Sequence, residues 1–203
     1  EQLVLTKDAV KVYLAFGVIS FGCSYSLTYW GTKYIHSGLS AVIWSTFPIV
    51  VVLFAHFMLR NDRITTQKSV GVLLGLIGTL LIFVQDKTAF EGFDLKAVAA
   101  VSVAVLLAAW PNILYKKHQK EIPHFHLNVV SQTIAVSVLL PVSFLIEDPL
   151  SVEWSLRNTA ALFYLAIPGT AIVWSIYFWL YKHLSVTQIS TIALIPPIIA
   201  VII

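Results

Sequence analysis

Charge is what this sequence has least of. Asp, Glu, Lys and Arg make up 11% of its 203 residues and hydrophobic residues 58%, where a soluble domain carries roughly 25% charged residues. Mean hydropathy is +0.85. A water-soluble domain of this length cannot bury so much apolar surface, so the soluble reading is set aside. Cysteine is almost absent. Cys23 stands alone, which excludes an internal disulfide framework and leaves it as a small apolar side chain. Excess charge of either sign is also lacking: the net charge is only +3, and the basic residues are scattered among loops, which excludes a nucleic-acid footprint. No GxxxxGK[ST] loop occurs, so a nucleotide-driven pump is disfavoured. The start lacks a Met and a basic segment leading into a short apolar core, so no signal peptide is read. The chain opens at Glu1 and closes inside the apolar run Val201-Ile202-Ile203, as expected of an internal piece of a longer protein.

What is present is a series of long apolar runs. A helix crosses the hydrocarbon core with about 20 mainly apolar residues. Seven stretches meet this: 12–31, 38–59, 69–85, 97–115, 127–146, 159–181 and 186–203, none containing Asp, Glu, Lys or Arg. Each such charge at a helix centre costs about 2.5–3.5 kcal/mol on insertion scales. The expected fold is therefore all-α, a polytopic membrane helix bundle. The connections are short, so the function has to reside in the bundle.

Loop charge sets an orientation, because Lys and Arg are retained on the cytoplasmic side. Alternate connections carry Lys7, Lys11, Arg60, Arg63, Lys68, Lys116, Lys117, Lys120 and Lys182, against Lys33, Lys87, Lys96 and Arg157 on the other side. The segment before the first span is expected to be cytoplasmic and the end of the seventh to lie outside.

The chain also matches itself at an offset that pairs Trp30 with Trp179, Lys33 with Lys182, Ile35 with Leu184 and Pro48 with Pro197. Each copy reads Trp, a basic residue three positions on, a short turn, then an apolar helix with a proline. Lys33 follows a span running outward and Lys182 one running inward, so the copies are expected to be inverted in the membrane.

The aromatic-rich first helix, Lys33-Tyr34-Ile35, Pro48, Asp62-Arg63-Ile64-Thr65, Gly71 and Gly78 resemble the first repeat of the EamA family of the drug/metabolite transporter superfamily. Trp179, Lys182, Leu184, Ser185 and Pro197 resemble its second repeat. One departure is Asp62, where the family usually has Glu before the Arg. The resemblance implies seven spans of a ten-span inverted-repeat transporter, the third to the ninth, with residues 1–85 ending the first repeat and 97–203 forming most of the second. It implies an exporter of small metabolites such as amino acids, working by alternating access in the bacterial inner membrane. The expected partners are membrane lipid and a small-molecule substrate, with a homodimer as the assembly to test; no cofactor or metal is expected.

Polar and aromatic residues inside spans are the candidate site, since such groups are tolerated chiefly where they face other helices or a cavity. The candidates along the pathway are Tyr25 and Thr28 in the first span, Trp44, Ser45 and Pro48 in the second, Trp110 and Asn112 in the fourth, Trp174 and Tyr177 in the sixth, and Pro196 and Pro197 in the last. Tyr29 and Trp30 fit an interfacial aromatic belt instead. Pro48 reads first as a structural kink, and Pro196-Pro197 must interrupt a hydrogen-bond ladder. Gly71, Gly75 and Gly78 read as a helix-packing face, and Gln132 as an amide bonded to an adjacent helix. His118, His124 and His126 match no zinc spacing. A helical scaffold or an intramembrane enzyme is the alternative; an enzyme would need a nucleophile with a base, or a metal cluster, and the spans show no such set.

The orientation has a direct test. In a Cys23→Ser background, Arg63→Cys is protected from an impermeant thiol reagent in intact cells while Asp94→Cys reacts. Reaction of both from one side would overturn the topology.

Overall fold

In a computed structural model, residues 3–59, 66–84, 94–146 and 154–195 are described, and among them all regular structure is helical. Among the described residues five helices are long and apolar enough to cross a membrane: α1 Lys7–Gly31, α2 Ser37–Met58, α4 Leu95–His118, α5 His124–Ile146 and α6 Leu156–Leu180. Between them α3, Thr66–Val84, is also continuous. The expected last span begins as α7, Val186–Ser190, and continues as a 3₁₀ turn at Thr191–Leu194. Pro196 and Pro197, like the loops at 60–65, 85–93 and 147–153, lie outside the described residues.

The helices start earlier than the apolar windows because caps, not hydropathy, set their ends. Thr6 caps α1, its Oγ1 accepting from Ala9 N at 3.2 Å. Asp94 caps α4 by accepting from Lys96 N at 2.7 Å. Ser155 caps α6 by accepting from Asn158 N at 3.1 Å. Ser185 and Gln188 close a reciprocal capping box at α7. Each removes one orphan donor from a helix start.

Two helices change pitch along their length. In α6 the segment Ile167–Ile172 is π-helical, and Pro168 supplies the reason, since a residue with no N–H cannot continue the i→i−4 ladder. Carbonyls of this segment and its N-terminal flank take side-chain donors: Thr170 Oγ1 donates to Leu165 O at 2.7 Å, and Asn128 Nδ2 of α5 to Ala171 O at 3.1 Å. Asn128 also donates to Ser175 Oγ at 2.7 Å and accepts from Gln132 Nε2 at 2.5 Å. The tie to the neighbouring helix is thus made by Asn128, and Gln132 supports it from one turn away on its own helix, which corrects the expectation of a direct Gln132 bond. In α1 the π-helical stretch is Ala15–Ser24, and its small residues Gly17, Gly22 and Ser24 allow close neighbours.

Those neighbours are α4 and α5. Ser24 Oγ donates to Ala104 O of α4 at 2.9 Å. A Cβ at Gly31 would lie 3.1 Å from Ala97 O and one at Gly17 2.9 Å from Ser131 O. Phe16 sits edge-on to Phe178 of α6, with centroids 4.9 Å apart at 86°, and both contact Tyr115 of α4. The buried core is therefore the junction of α1, α4, α5 and the second half of α6, joined by α2 and α7. By contrast, Leu156–Ala166 buries no residue.

Among the described residues the expected glycine packing face in α3 is met at Gly75 and not at Gly71 or Gly78. A Cβ at Gly71 or Gly78 meets nothing within 4 Å, and only Gly75 approaches a neighbour, the flexible end of Leu194. The close backbone approaches are at Gly17 and Gly31, which carry no GxxxG spacing.

One arrangement recurs along the chain. The caps Thr6 and Ser155, the helix ends Gly31 and Leu180, the turns 32–34 and 181–183, and the next helix starts Ser37 and Val186 stand at matching positions. The first bonds of the following helices also match, Ser40 N to His36 O and Ile189 N to Ser185 O, both 3.1 Å.

The glycine assignment is tested by a pair of variants. Gly17→Ala puts a methyl 2.6 Å from Ile134 Cγ2 and costs about 1–3 kcal/mol as overpacking. Gly71→Ala points into open space and is neutral or slightly stabilising. Thermal unfolding in detergent should separate them; equal destabilisation would place α3 in the packed core.

Candidate functional site

A half-open cavity of about 300 Å³ lies where five helical elements meet. Ser20 and Tyr25 come from α1, Trp44 and Phe47 from α2, Ala108 and Asn112 from α4, and Val173, Trp174 and Tyr177 from α6. Ile189 and Ser190 of α7, with Ile192 and Ala193 just beyond, close it.

Helical spacing explains the grouping. Trp44 and Phe47 are three residues apart on α2, Ala108 and Asn112 four apart on α4, and Trp174 and Tyr177 three apart on α6; each pair therefore shares a face. Between Trp44 and Phe47 the helix takes a tighter step at Thr46, whose N–H donates to Ile43 O at 3.0 Å and whose hydroxyl donates to the same carbonyl. Pro48 sits immediately after this step, in the first turn of the continuing helix, where a missing N–H is least costly.

The polar side chains are tied to one another. Trp174 Nε1 donates to the Tyr25 hydroxyl oxygen at 3.1 Å. Asn112 is a hub: its Oδ1 accepts from the hydroxyls of Tyr177, at 2.9 Å, and Tyr181, while its Nδ2 donates to Ala108 O at 2.6 Å. Ser190 Oγ donates to Thr187 O at 2.7 Å. Aromatic rings pack edge to face around them, Phe21 against Trp174 at 4.8 Å and Phe21 against Tyr25 at 5.8 Å, geometries that favour ring contacts beyond their buried area. At the end of α6, Lys116 Nζ of α4 donates to Tyr181 O and Leu184 O, each at 2.8 Å. A cation placed on orphan C-terminal carbonyls satisfies them and complements the helix dipole.

Of the residues singled out in the sequence, Tyr25, Trp44, Asn112, Trp174 and Tyr177 line this one cavity. Four do not. The Thr28 and Ser45 hydroxyls donate back to their own helices, at Ser24 O, 2.9 Å, and Val42 O, 2.6 Å. Pro48 is buried in the helix turn, and Trp110 is not among the lining residues. Pro196 and Pro197 lie outside the described residues. Sequence reasoning missed Ser20, Phe47, Ala108, Val173, Ile189, Ile192 and Ala193. Most are apolar or small, and nothing local marks an apolar residue as facing a cavity rather than lipid. Ser190 also lines the cavity.

The model of the EamA-like transporter family matches residues 1–84 and 95–203. The chain belongs to that family, and with its membrane-length helices it is an integral membrane protein. It is 27% identical over 202 residues to an uncharacterized transporter, YoaV, of Bacillus subtilis, covering 98% of this chain and 68% of the relative. An uncharacterized transporter of Buchnera aphidicola is 28% identical, with 94% and 63% covered. Protein PagO of Salmonella typhimurium is 24% identical, with 91% and 60% covered. A crystal structure superposes with a TM-score of 0.79 at 18% identity, covering 94% of this chain and 65% of that one, which is a likeness of fold. The chain thus spans roughly two thirds of the length of these relatives, the first two of which are named as transporters.

Asn112 carries a specific expectation. Asn112→Leu keeps the volume but strands the Tyr177 and Tyr181 hydroxyls in a water-poor core, at about 1–3 kcal/mol for each unmet partner. The detergent melting temperature should fall, and Tyr177→Phe in the same background should recover part of the loss. A variant as stable as the parent would show that the hub is not holding α4 to α6.

Proposed function

We propose that this chain is the central part of a secondary transporter that exports small metabolites across the bacterial inner membrane by alternating access. Its seven spans belong to two inverted repeats, 1–85 ending the first and 97–203 forming most of the second, with the substrate held in the cavity between them. The observation that carries this reading is the Tyr25–Trp174 hydrogen bond, which joins residues 149 positions apart. The same offset relates the caps, turns and helix starts of the two stretches, and their π-helical segments overlap under it.

The offset has a mechanical consequence. When two inverted copies exchange conformations, a contact between i and j is replaced by one between i+149 and j−149. A contact between residues one offset apart maps onto itself. Tyr25 and Trp174 therefore stay paired in both states, as a fixed site near the midplane requires.

The test is reconstitution of the full-length protein in liposomes, with counterflow of a panel of radiolabelled small metabolites. Trans-stimulated uptake of at least one is expected. Intact, folded protein that moves none of them would favour a membrane scaffold.

A further inference from the structure

We propose that Tyr25, held by Trp174, is the specificity-determining hydrogen-bond donor of the cavity, and that its ligand is an uncharged planar aromatic molecule carrying a hydrogen-bond acceptor. This rests on the transporter reading and names its substrate class.

The first support is charge. No described residue lining the cavity is Asp, Glu, Lys, Arg or His. A ligand carrying a fixed charge would be taken from water with no counter-charge to meet it, at a penalty of several kcal/mol per ion. A zwitterionic amino acid has two such groups.

The second support is a donor and acceptor account. Asn112 Oδ1 takes two hydroxyls and its Nδ2 gives one of its two protons to Ala108 O, Tyr177 spends its proton on Asn112, and Ser190 spends its own on Thr187 O. Tyr25 is different. Its oxygen accepts the indole N–H of Trp174, and a phenol that accepts still has one proton to give. Among the described residues nothing takes that proton. Accepting from Trp174 also polarises the O–H and fixes the ring. Ser20, one turn away on α1, adds a second hydroxyl with no protein partner among the described residues. The cavity thus offers donors and asks for an acceptor.

The third support is shape. Trp44, Phe47, Trp174 and Tyr177 present rings to a space of about 300 Å³, which is the low end of ligand-site volumes and suits a one- or two-ring molecule stacked between aromatic walls.

Three probes built on one ring system separate these terms: 7-azaindole, which is neutral and has a ring-nitrogen acceptor; indole, the same shape without it; and tryptophan, which adds a zwitterionic side group to the indole ring. Binding to the purified full-length protein is measured by titration calorimetry in detergent. The expected order is 7-azaindole tighter than indole by roughly three- to tenfold, the value of one neutral hydrogen bond, and tryptophan weakest. Tyr25→Phe should remove the 7-azaindole preference while indole affinity holds, and Trp174→Phe, which removes the indole N–H and also trims an aromatic wall, should narrow the preference and weaken both neutral probes. Melting temperatures confirm that both variants fold. Tyr25→Phe weakening both neutral probes equally, or leaving the preference intact, would overturn the role of the hydroxyl. Tryptophan binding best, or no probe binding, would overturn the ligand class. In that event, counterflow of some other metabolite would leave the transporter reading standing.

Discussion

Lipid cannot hydrogen-bond to a peptide group, so every polar atom within the bilayer has to be satisfied by the protein itself. In this chain the constraint shows most clearly where helices depart from regular geometry. Pro168 interrupts the ladder of α6, and carbonyls around it are taken by Thr170 within the helix and by Asn128 across from α5. The π-helical stretch of α1 ends at Ser24, whose hydroxyl bonds Ala104 O on α4. The end of α6 is closed by Lys116, which places its ammonium on two carbonyls. Each irregularity has become a tie between helices. An apolar solvent supplies no hydrophobic drive for helices to associate, so such ties and close packing have to hold the bundle together.

The same constraint decides what a cavity can offer. Asn112 brings three polar neighbours together, its oxygen taking two hydroxyls and its amide nitrogen giving one proton to Ala108 O. Its role is to fix Tyr177 and Tyr181 in place, which holds α6 against α4 beside the cavity. A group still able to act on a ligand must be anchored without being exhausted, and Tyr25 meets both conditions because a phenol can accept and donate together.

How far the sequence could be read follows from the same physics. Charge-free runs mark spans because a single charge is costly enough to be avoided, and a strong per-residue penalty leaves a strong pattern. Tyr25, Trp44, Asn112, Trp174 and Tyr177 were legible because polar and aromatic groups inside spans need a reason to be there. Thr28 and Ser45 look the same in sequence, yet a hydroxyl can bond the preceding turn of its own helix and need no partner beyond it. Trp110 and Asn112 are two residues apart, nearly opposite around a helix, so only one could face the cavity. The glycines misled for a different cause: GxxxG marks an ability to pack, and only the placement of other helices decides whether it is used. Ile189 and Ala193 were illegible because nothing in an apolar side chain distinguishes a cavity wall from a lipid contact.

Under the proposed repeat, the divergence between copies is as informative as their likeness. Trp44 and Ala193 are one offset apart, and both line the cavity. The largest side chain in one copy stands where a methyl stands in the other, so the empty volume is displaced toward α7 although the backbones correspond. Tyr25 and Trp174 show the same principle in hydrogen bonding. Two tryptophans could only donate at this position, and two phenylalanines could do neither. The unlike pair makes one directed bond, from indole N–H to phenol oxygen, and leaves one proton over. A symmetric scaffold with asymmetric side chains thus gives a site with a defined direction, which a passage between two related halves needs if a ligand is to bind in one orientation.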